Sequence, residues 1–170
     1  LTNQWINERG DIAFGGHIVG TPEESQGPIL CRTISMFIKW ASGETVPVAL
    51  VGEPSPCLDP DGRPRPYRLT FNPIVNNRGE MVFIGDLTPV GTDPGKALSV
   101  FFYSNGKVVP VACPGLKMPG GEGKFVSTGF FVGCCHLNNR GEVTFNATLD
   151  TRVDLDGETV VKCTPHVGYL

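Results

Sequence analysis

The chain has 170 residues, a net charge of −3 and 40% hydrophobic residues, enough for a packed core. Its charges are mixed along the chain, with no Arg/Lys stripe, which argues against a nucleic-acid partner. Its apolar runs fall far short of the ~20 residues of a membrane span, and its 22 glycines and 15 prolines point to many tight turns.

The chain opens with Leu1 to Ile6, which reads as a strand entering a turn. Asn7-Glu8-Arg9-Gly10 is that turn, since Asn and Gly both tolerate positive φ. Ile12 and Phe14 then alternate with other residues, the period-2 signature of a half-buried strand. Met36 to Trp40 leads through Ser42-Gly43 into Thr45 to Leu50, a predicted hairpin. A Pro/Gly loop, Gly52-Glu53-Pro54-Ser55-Pro56, and the acidic Asp59-Pro60-Asp61-Gly62 follow. A strand from Tyr67 to Val75 runs to a second turn, Asn76-Asn77-Arg78-Gly79, and Met81 and Phe83 alternate after it. Val100 to Tyr103, Asn105-Gly106 and Val108 to Cys113 form a further hairpin, Asn-Gly being the strongest short hairpin signal. A loop from Gly115 to Gly123 leads toward the third turn, Asn138-Asn139-Arg140-Gly141, and the alternation Val143/Phe145. No stretch has a useful 3.6-residue amphipathic period, so almost no helix is expected.

These elements repeat. The pattern apolar-Asn-x-Arg-Gly-acid-apolar-x-Phe occurs three times, with Gly10, Gly79 and Gly141 spaced by 69 and 62 residues. The expected fold is all-β. Its antiparallel sheets come from about two and a half four-stranded repeats, arranged like propeller blades or as a stacked sandwich. The units run approximately 1–66, 67–128 and 129–170, the last incomplete, within a single repeat domain. Phe14, Phe83 and Phe145 are expected at equivalent buried positions.

The Asn-Asn-Arg-Gly-Glu-apolar-x-Phe strand, followed by Phe-x-x-x-x-Gly-x-x-x-Pro-Val-Ala, resembles the repeats of large exported bacterial surface proteins. Those carry recurrent LNNxGxVAF strands and glycine-rich loops, often with a C-terminal sorting anchor. The resemblance covers most of the chain. It implies a propeller-like or stacked β architecture outside the cell, and it implies no enzyme activity. This chain differs in its six cysteines and in showing no anchor segment.

Cys31, Cys57, Cys113, Cys134, Cys135 and Cys163 form no C-x-x-C pair and do not cluster with histidines, which disfavours zinc. An even count in a loop-rich chain favours disulfides in an oxidising compartment, with at least four of the six bonded. Fifteen pairings are open. Cys134 and Cys135 are adjacent and are expected to bond separate distant partners, because a bond between neighbours is strained.

Candidate chemistry is sparse. His17, His136 and His166 are scattered, no Gly-x-Ser-x-Gly elbow is present, and no catalytic residue is assigned. A secreted hydrolase is the alternative to a non-enzymatic role. Asp150, Asp154, Asp156 and Glu158 form an oxygen-rich loop that is a candidate for Ca²⁺, with Asp59 and Asp61 as a weaker cluster. The EF-hand pattern is broken by Arg152 and Cys163, and Asp-Gly is also a plain turn signal. No other cofactor is expected. Asn146-Ala147-Thr148 is a glycosylation sequon at Asn146. Trp5, Trp40, Phe101 and Tyr103 are either core aromatics or a sugar-stacking platform.

The functional expectation is an extracellular, cell-surface structural protein whose partners are copies of itself. Leu1–Ile6 and the segment Thr159 to Tyr169 would leave complementary unpaired strands, and strand donation between them would build a head-to-tail filament or ring. The alternative is a secreted module that binds carbohydrate or another surface protein through its long loops.

Overall fold

The computed structural model describes residues 4–17, 34–87, 98–118, 123–128 and 135–150. Among these residues the protein is all-β and its pairings are antiparallel. No helix among them is long and apolar enough to cross a membrane.

The first layer is a four-stranded sheet ordered β1 (Gln4–Ile6), β2 (Ile12–Gly16), β3 (Ser35–Lys39) and β4 (Thr45–Ala49). The second is a five-stranded sheet ordered β5 (Pro54–Leu58), β6 (Pro64–Val75), β7 (Met81–Leu87), β8 (Leu98–Ser104) and β9 (Lys107–Ala112). The Pro/Gly segment expected as a loop thus supplies β5, an edge strand, where a proline costs no ladder bond on its open side. The third layer consists of two paired pieces: β10 (Lys124–Thr128) with β13 (Ala147–Asp150), and β11 (Cys135–Leu137) with β12 (Val143–Phe145). Only Asn146 separates β12 from β13, so together they stand where β7 stands in the second layer. β10 and β11 likewise share the place of the long strand β6.

Two cores separate the layers. Ala13, Met36, Ile38 and Ala49 of the first layer meet Val75, Met81, Phe83, Phe101 and Tyr103 of the second. Val82, Ile84, Val100 and Ala112 on the other face of the second layer meet Phe125, Cys135, Val143, Phe145 and Ala147 of the third. Successive side chains of a strand point to opposite faces, so β7 feeds both cores and is buried throughout. Its sequence, Met-Val-Phe-Ile-Gly-Asp-Leu, is a nearly continuous apolar run, the signature of a strand covered on both sides. The half-buried alternation expected from Met81 and Phe83 is thus incomplete for this layer.

An aromatic pair recurs in the first two layers. Phe14 lies opposite Phe37 and Phe83 opposite Phe101 in the sheet register. Both pairs are stacked, with centroids 5.6 and 5.3 Å apart. Two residues beyond each first Phe stands a glycine that makes room for the second ring. A Cβ on Gly85 would sit 2.6 Å from the Phe101 ring, and one on Gly16 would sit 3.3 Å from the Phe37 ring.

The expectation of three equivalent buried phenylalanines is corrected at one position. Phe83 is 0% and Phe145 6% exposed, whereas Phe14 is only half-buried. Phe14 occupies the matching register, but it lies on the face of the first layer opposite Ala13, Met36 and Ile38, which carry the contact with the second layer.

Cys57 on β5 and Cys113 just past β9 form a disulfide with Cα atoms 6.0 Å apart. Since β5 and β9 are the two edges of the second sheet, the bond ties those edges together beside its core, where both cysteines are buried. Cys135 is buried in the second core. Cys31, Cys134 and Cys163 lie outside the described residues, and so do His166 and the strand expected at 159–169.

Three stability measurements test this layering. In urea titrations, Phe83→Ala is expected to cost about 3–5 kcal/mol, as for a large core truncation. Phe14→Ala is expected to cost less, roughly 1–2 kcal/mol, because part of its surface is already wet. Replacing Cys57 and Cys113 together by Ala is expected to lower stability by about 2–4 kcal/mol, as the loop between them spans 56 residues. Peptide mapping of unreduced protein should recover the Cys57–Cys113 cross-link.

Candidate functional site: a ladder of turns and the cavity beside it

The three Asn-x-Arg-Gly segments close their hairpins in one way. The Asn N–H donates to the carbonyl of the acid four residues on: Asn7 to Asp11, Asn76 to Glu80, Asn138 to Glu142. The Gly N–H donates back to the Asn carbonyl in each. Gly10, Gly79 and Gly141 have φ of +85°, +76° and +87°. This is a three-residue loop ending in a left-handed glycine bulge.

The asparagines serve another purpose than the one expected from φ. None of Asn7, Asn76 and Asn138 has positive φ; among the described non-glycine residues only Asn72 and Asn105 do. Instead, the Asn side chain organises its turn. Its Oδ1 accepts the N–H of the Arg and of the acid, at 2.9–3.0 Å in all three turns. Its Nδ2 donates to the acid carboxylate: to Asp11 at 2.8 Å, to Glu80 at 2.8 Å, and to Glu142.

The second Nδ2 hydrogen leaves the turn. Asn7 donates to the Asn76 carbonyl at 2.7 Å, and Asn76 donates to the Asn138 carbonyl at 2.9 Å. Two further bonds run in the same direction. The Glu8 N–H donates to Asn77 Oδ1 at 3.1 Å, and the Asn77 N–H to Asn139 Oδ1 at 2.9 Å. Arg9 Nη1 donates to the Asn77 carbonyl and Arg78 Nη1 to the Arg140 carbonyl, at 3.1 and 3.0 Å. One bond returns, from Asn77 Nδ2 to Glu8 Oε2 at 2.7 Å. The turns therefore form a ladder that climbs from the first layer to the third with a net polarity.

Each Arg also pairs with the acid of its own turn, most closely Arg78 Nη2 with Glu80 Oε1 at 3.0 Å. In the third turn the Asn138 amide, and to a lesser degree Arg140, hold the Glu142 carboxyl below its ordinary range against a smaller effect of desolvation. The acids differ in their outward contacts. Asp11 Oδ1 accepts the Ala41 N–H at 3.0 Å, so the hairpin after β3 folds over the first turn. The corresponding hairpin of the second layer is the tighter Asn105-Gly106, which leaves a cavity of about 360 Å³. Trp40, Arg78, Gly79, Glu80, Tyr103 and Asn105 line it. Trp40 also fixes the glycine there, since a Cβ on Gly79 would lie 2.8 Å from its ring. Burial, and then Glu44, push the Tyr103 hydroxyl up from its ordinary value.

The other expected site residues fall apart. Phe101 is buried and Trp5 stands 47% exposed on β1, so only Trp40 and Tyr103 of the four aromatics share a cavity. Asp59 Oδ1 accepts the N–H groups of Asp61 and Arg63, which makes Asp59–Gly62 the turn between β5 and β6. Among the described residues no three His, Cys, Asp or Glu side chains are placed to hold a metal. Asp154, Asp156 and Glu158 lie outside those residues, and Asp150 ends β13 opposite Lys124. Asn146 is exposed between β12 and β13. His17 and His136 are exposed and far apart in the strand order.

The φ tolerance of Asn does not disclose the ladder. The signal for it in the sequence is Asn, rather than Asp, at the same place in all three turns. Asp accepts the same two N–H groups but has no amide to donate. Asn76→Asp is therefore expected to destabilise the protein by about 1–3 kcal/mol, having lost two buried donors and placed a carboxylate beside Glu80. Asn138→Asp, at an exposed turn, should cost less than about 1 kcal/mol. Denaturant midpoints of the two variants give the comparison; equal losses would contradict the ladder.

A family model described as a family of unknown function, DUF7453, matches residues 1–167. No curated protein and no solved structure gives a significant match. Given a match that spans nearly its whole length, the chain belongs to the DUF7453 family.

Proposed function

We propose that this protein is a structural β-repeat module of the cell exterior, whose role is to extend an assembly by associating head to tail with copies of itself. The observation that carries the reading is the ladder: one set of bonds joins layer to layer twice, at separations of 69 and 62 residues, in one direction but for the return bond from Asn77 to Glu8. A directional contact between unlike ends is heterologous, and its repetition gives a ring or a filament. The polar groups of the turns are engaged in holding layers together, which suits a scaffold rather than a catalyst. The Cys57–Cys113 disulfide fits an oxidising compartment, and the resemblance to exported bacterial surface repeats points the same way.

A second reading, a module that binds carbohydrate, is favoured by the cavity where Trp40 and Tyr103 stand beside Arg78, Glu80 and Asn105. Aromatic rings with a few converging polar groups are the usual means of gripping a sugar ring.

Sedimentation velocity from micromolar to millimolar protein, with electron microscopy of the same samples, separates the two readings. The structural reading expects concentration-dependent species larger than the 18.3 kDa chain. A monomer at all concentrations that binds a glycan array would establish the second reading instead.

A further inference from the structure

We infer that the copy-to-copy contact is a fourth step of the turn ladder, in which Asn138, Asn139 and Arg140 of one copy dock on Asn7 and Glu8 of the next. This rests on the self-association proposed above and specifies its surface. Strand donation by the segment at 159–169 is a different contact.

Both halves of the ladder contact are present on the chain. The donor half is the Asn Nδ2, the N–H of the following residue and the Arg guanidinium, which the first two turns both use. In the third turn the same three residues, Asn138, Asn139 and Arg140, are exposed. The acceptor half is the Asn carbonyl and the side chain of the next residue, which the second and third turns both use. In the first turn these are Asn7 and the exposed Glu8.

Charge distinguishes this step from the internal ones. Where the second and third turns accept with Asn77 and Asn139, the first turn carries Glu8. A carboxylate accepts the same N–H and also attracts the incoming Arg140, and charge-assisted bonds are the stronger kind. The internal acceptors are neutral, so the acid stands at the one turn in the described structure that has no turn before it.

The apolar surface beside the acceptor half fits the same partner. Ile6, 64% exposed, and the half-buried Ile12, Phe14 and Phe37 lie on the outer face of the first layer. They stand where Val75, Met81, Phe83 and Phe101 stand in the second layer, and there those residues are covered by the first. The third layer would be the covering one. Its outer face shows Thr144 where the first and second layers have Ala13 and Val82, and His136 beside it is exposed. Thr is close to Val in shape but carries a hydroxyl. The step between copies thus buries less apolar surface than the internal steps. The turns set its register, and the association is weak and salt-sensitive.

The test is a charge exchange read by sedimentation velocity on the full chain. Glu8→Arg and Arg140→Glu are each expected to weaken association by about tenfold or more, because each juxtaposes like charges. An equimolar mixture of the two should associate again. The guanidinium introduced at position 8 of one variant then meets the carboxylate introduced at position 140 of the other, and the remaining ends match as in the parent. Thermal melts establish that both variants fold. If Glu8→Arg does not, Glu8→Gln keeps the acceptor for Asn77, removes the charge and should still weaken association. If the parent associates but neither exchange weakens it, or the mixture fails to recover, this interface is wrong while self-association stands. A parent that stays monomeric overturns both.

Discussion

The structure hangs on one side chain used three times, the asparagine that opens each turn. Stacked sheets stand about 10 Å apart, a gap that the Thr70 N–H crosses to the Ile34 carbonyl and that the turn asparagines cross with their side chains. A carboxamide can act on both sides. Its oxygen is spent inside the turn on two N–H groups, and its nitrogen carries two hydrogens, one for the acid of its own turn and one for the carbonyl of the next. The same atoms that shape a hairpin thereby set the spacing and register between layers. At Asn76, buried between two other turns, this happens away from water, where an unmade bond is costly.

The rest of the packing follows from that register. Once the turns are aligned, β2 lies nearest β6 across the first gap and β7 nearest β11 across the second, and what each strand shows on its two faces decides which layer lies inside. β7 is apolar on both faces and is the inner strand. β12 is apolar through Val143 and Phe145 toward the second layer and presents Thr144 on its other side. β2 uses the small Ala13 inward and Phe14 outward. The bulk missing from β2 is supplied by Met36 and Ile38 on β3, both fully buried. The disulfide then ties together the two edges of the middle sheet.

Polarity is the feature with most bearing on function. A ladder whose bonds between layers run forward in all but one case gives its two ends different chemistry, donors at Asn138–Arg140 and acceptors at Asn7–Glu8. Its ends are not self-complementary in the manner of a two-fold dimer, which would require each patch to match itself. The cavity at Trp40 arises from another asymmetry, the difference in length between two equivalent hairpins. In the first layer the longer hairpin brings Ala41 down onto Asp11; in the second the tight Asn105-Gly106 turn stops short of Glu80. Repeats that diverge in loop length open such spaces without disturbing the sheets.

Local order was determined by the sequence alone. The turns at Asn7, Asn76 and Asn138, the strands after them, the Asn105-Gly106 hairpin and the all-β class all rest on φ preferences and period-2 patterns within a few residues. Tertiary structure decided what depends on partners distant in the chain. Phe14, Phe83 and Phe145 are identical in local pattern, yet Phe14 is partly exposed, because burial depends on which layer covers a face. Cys57 and Cys113 pair because the middle sheet curls its edges together, a matter of strand order that cysteine spacing does not encode. The acids at Asp59 and Asp61 look like ligands in sequence and form a turn in space, because the nearest acceptors for the backbone N–H groups are Asp59's own oxygens. The second amide hydrogens of Asn7 and Asn76 were invisible for the same reason: their acceptors lie 69 and 62 residues away, and only the stacking of whole layers brings them within reach.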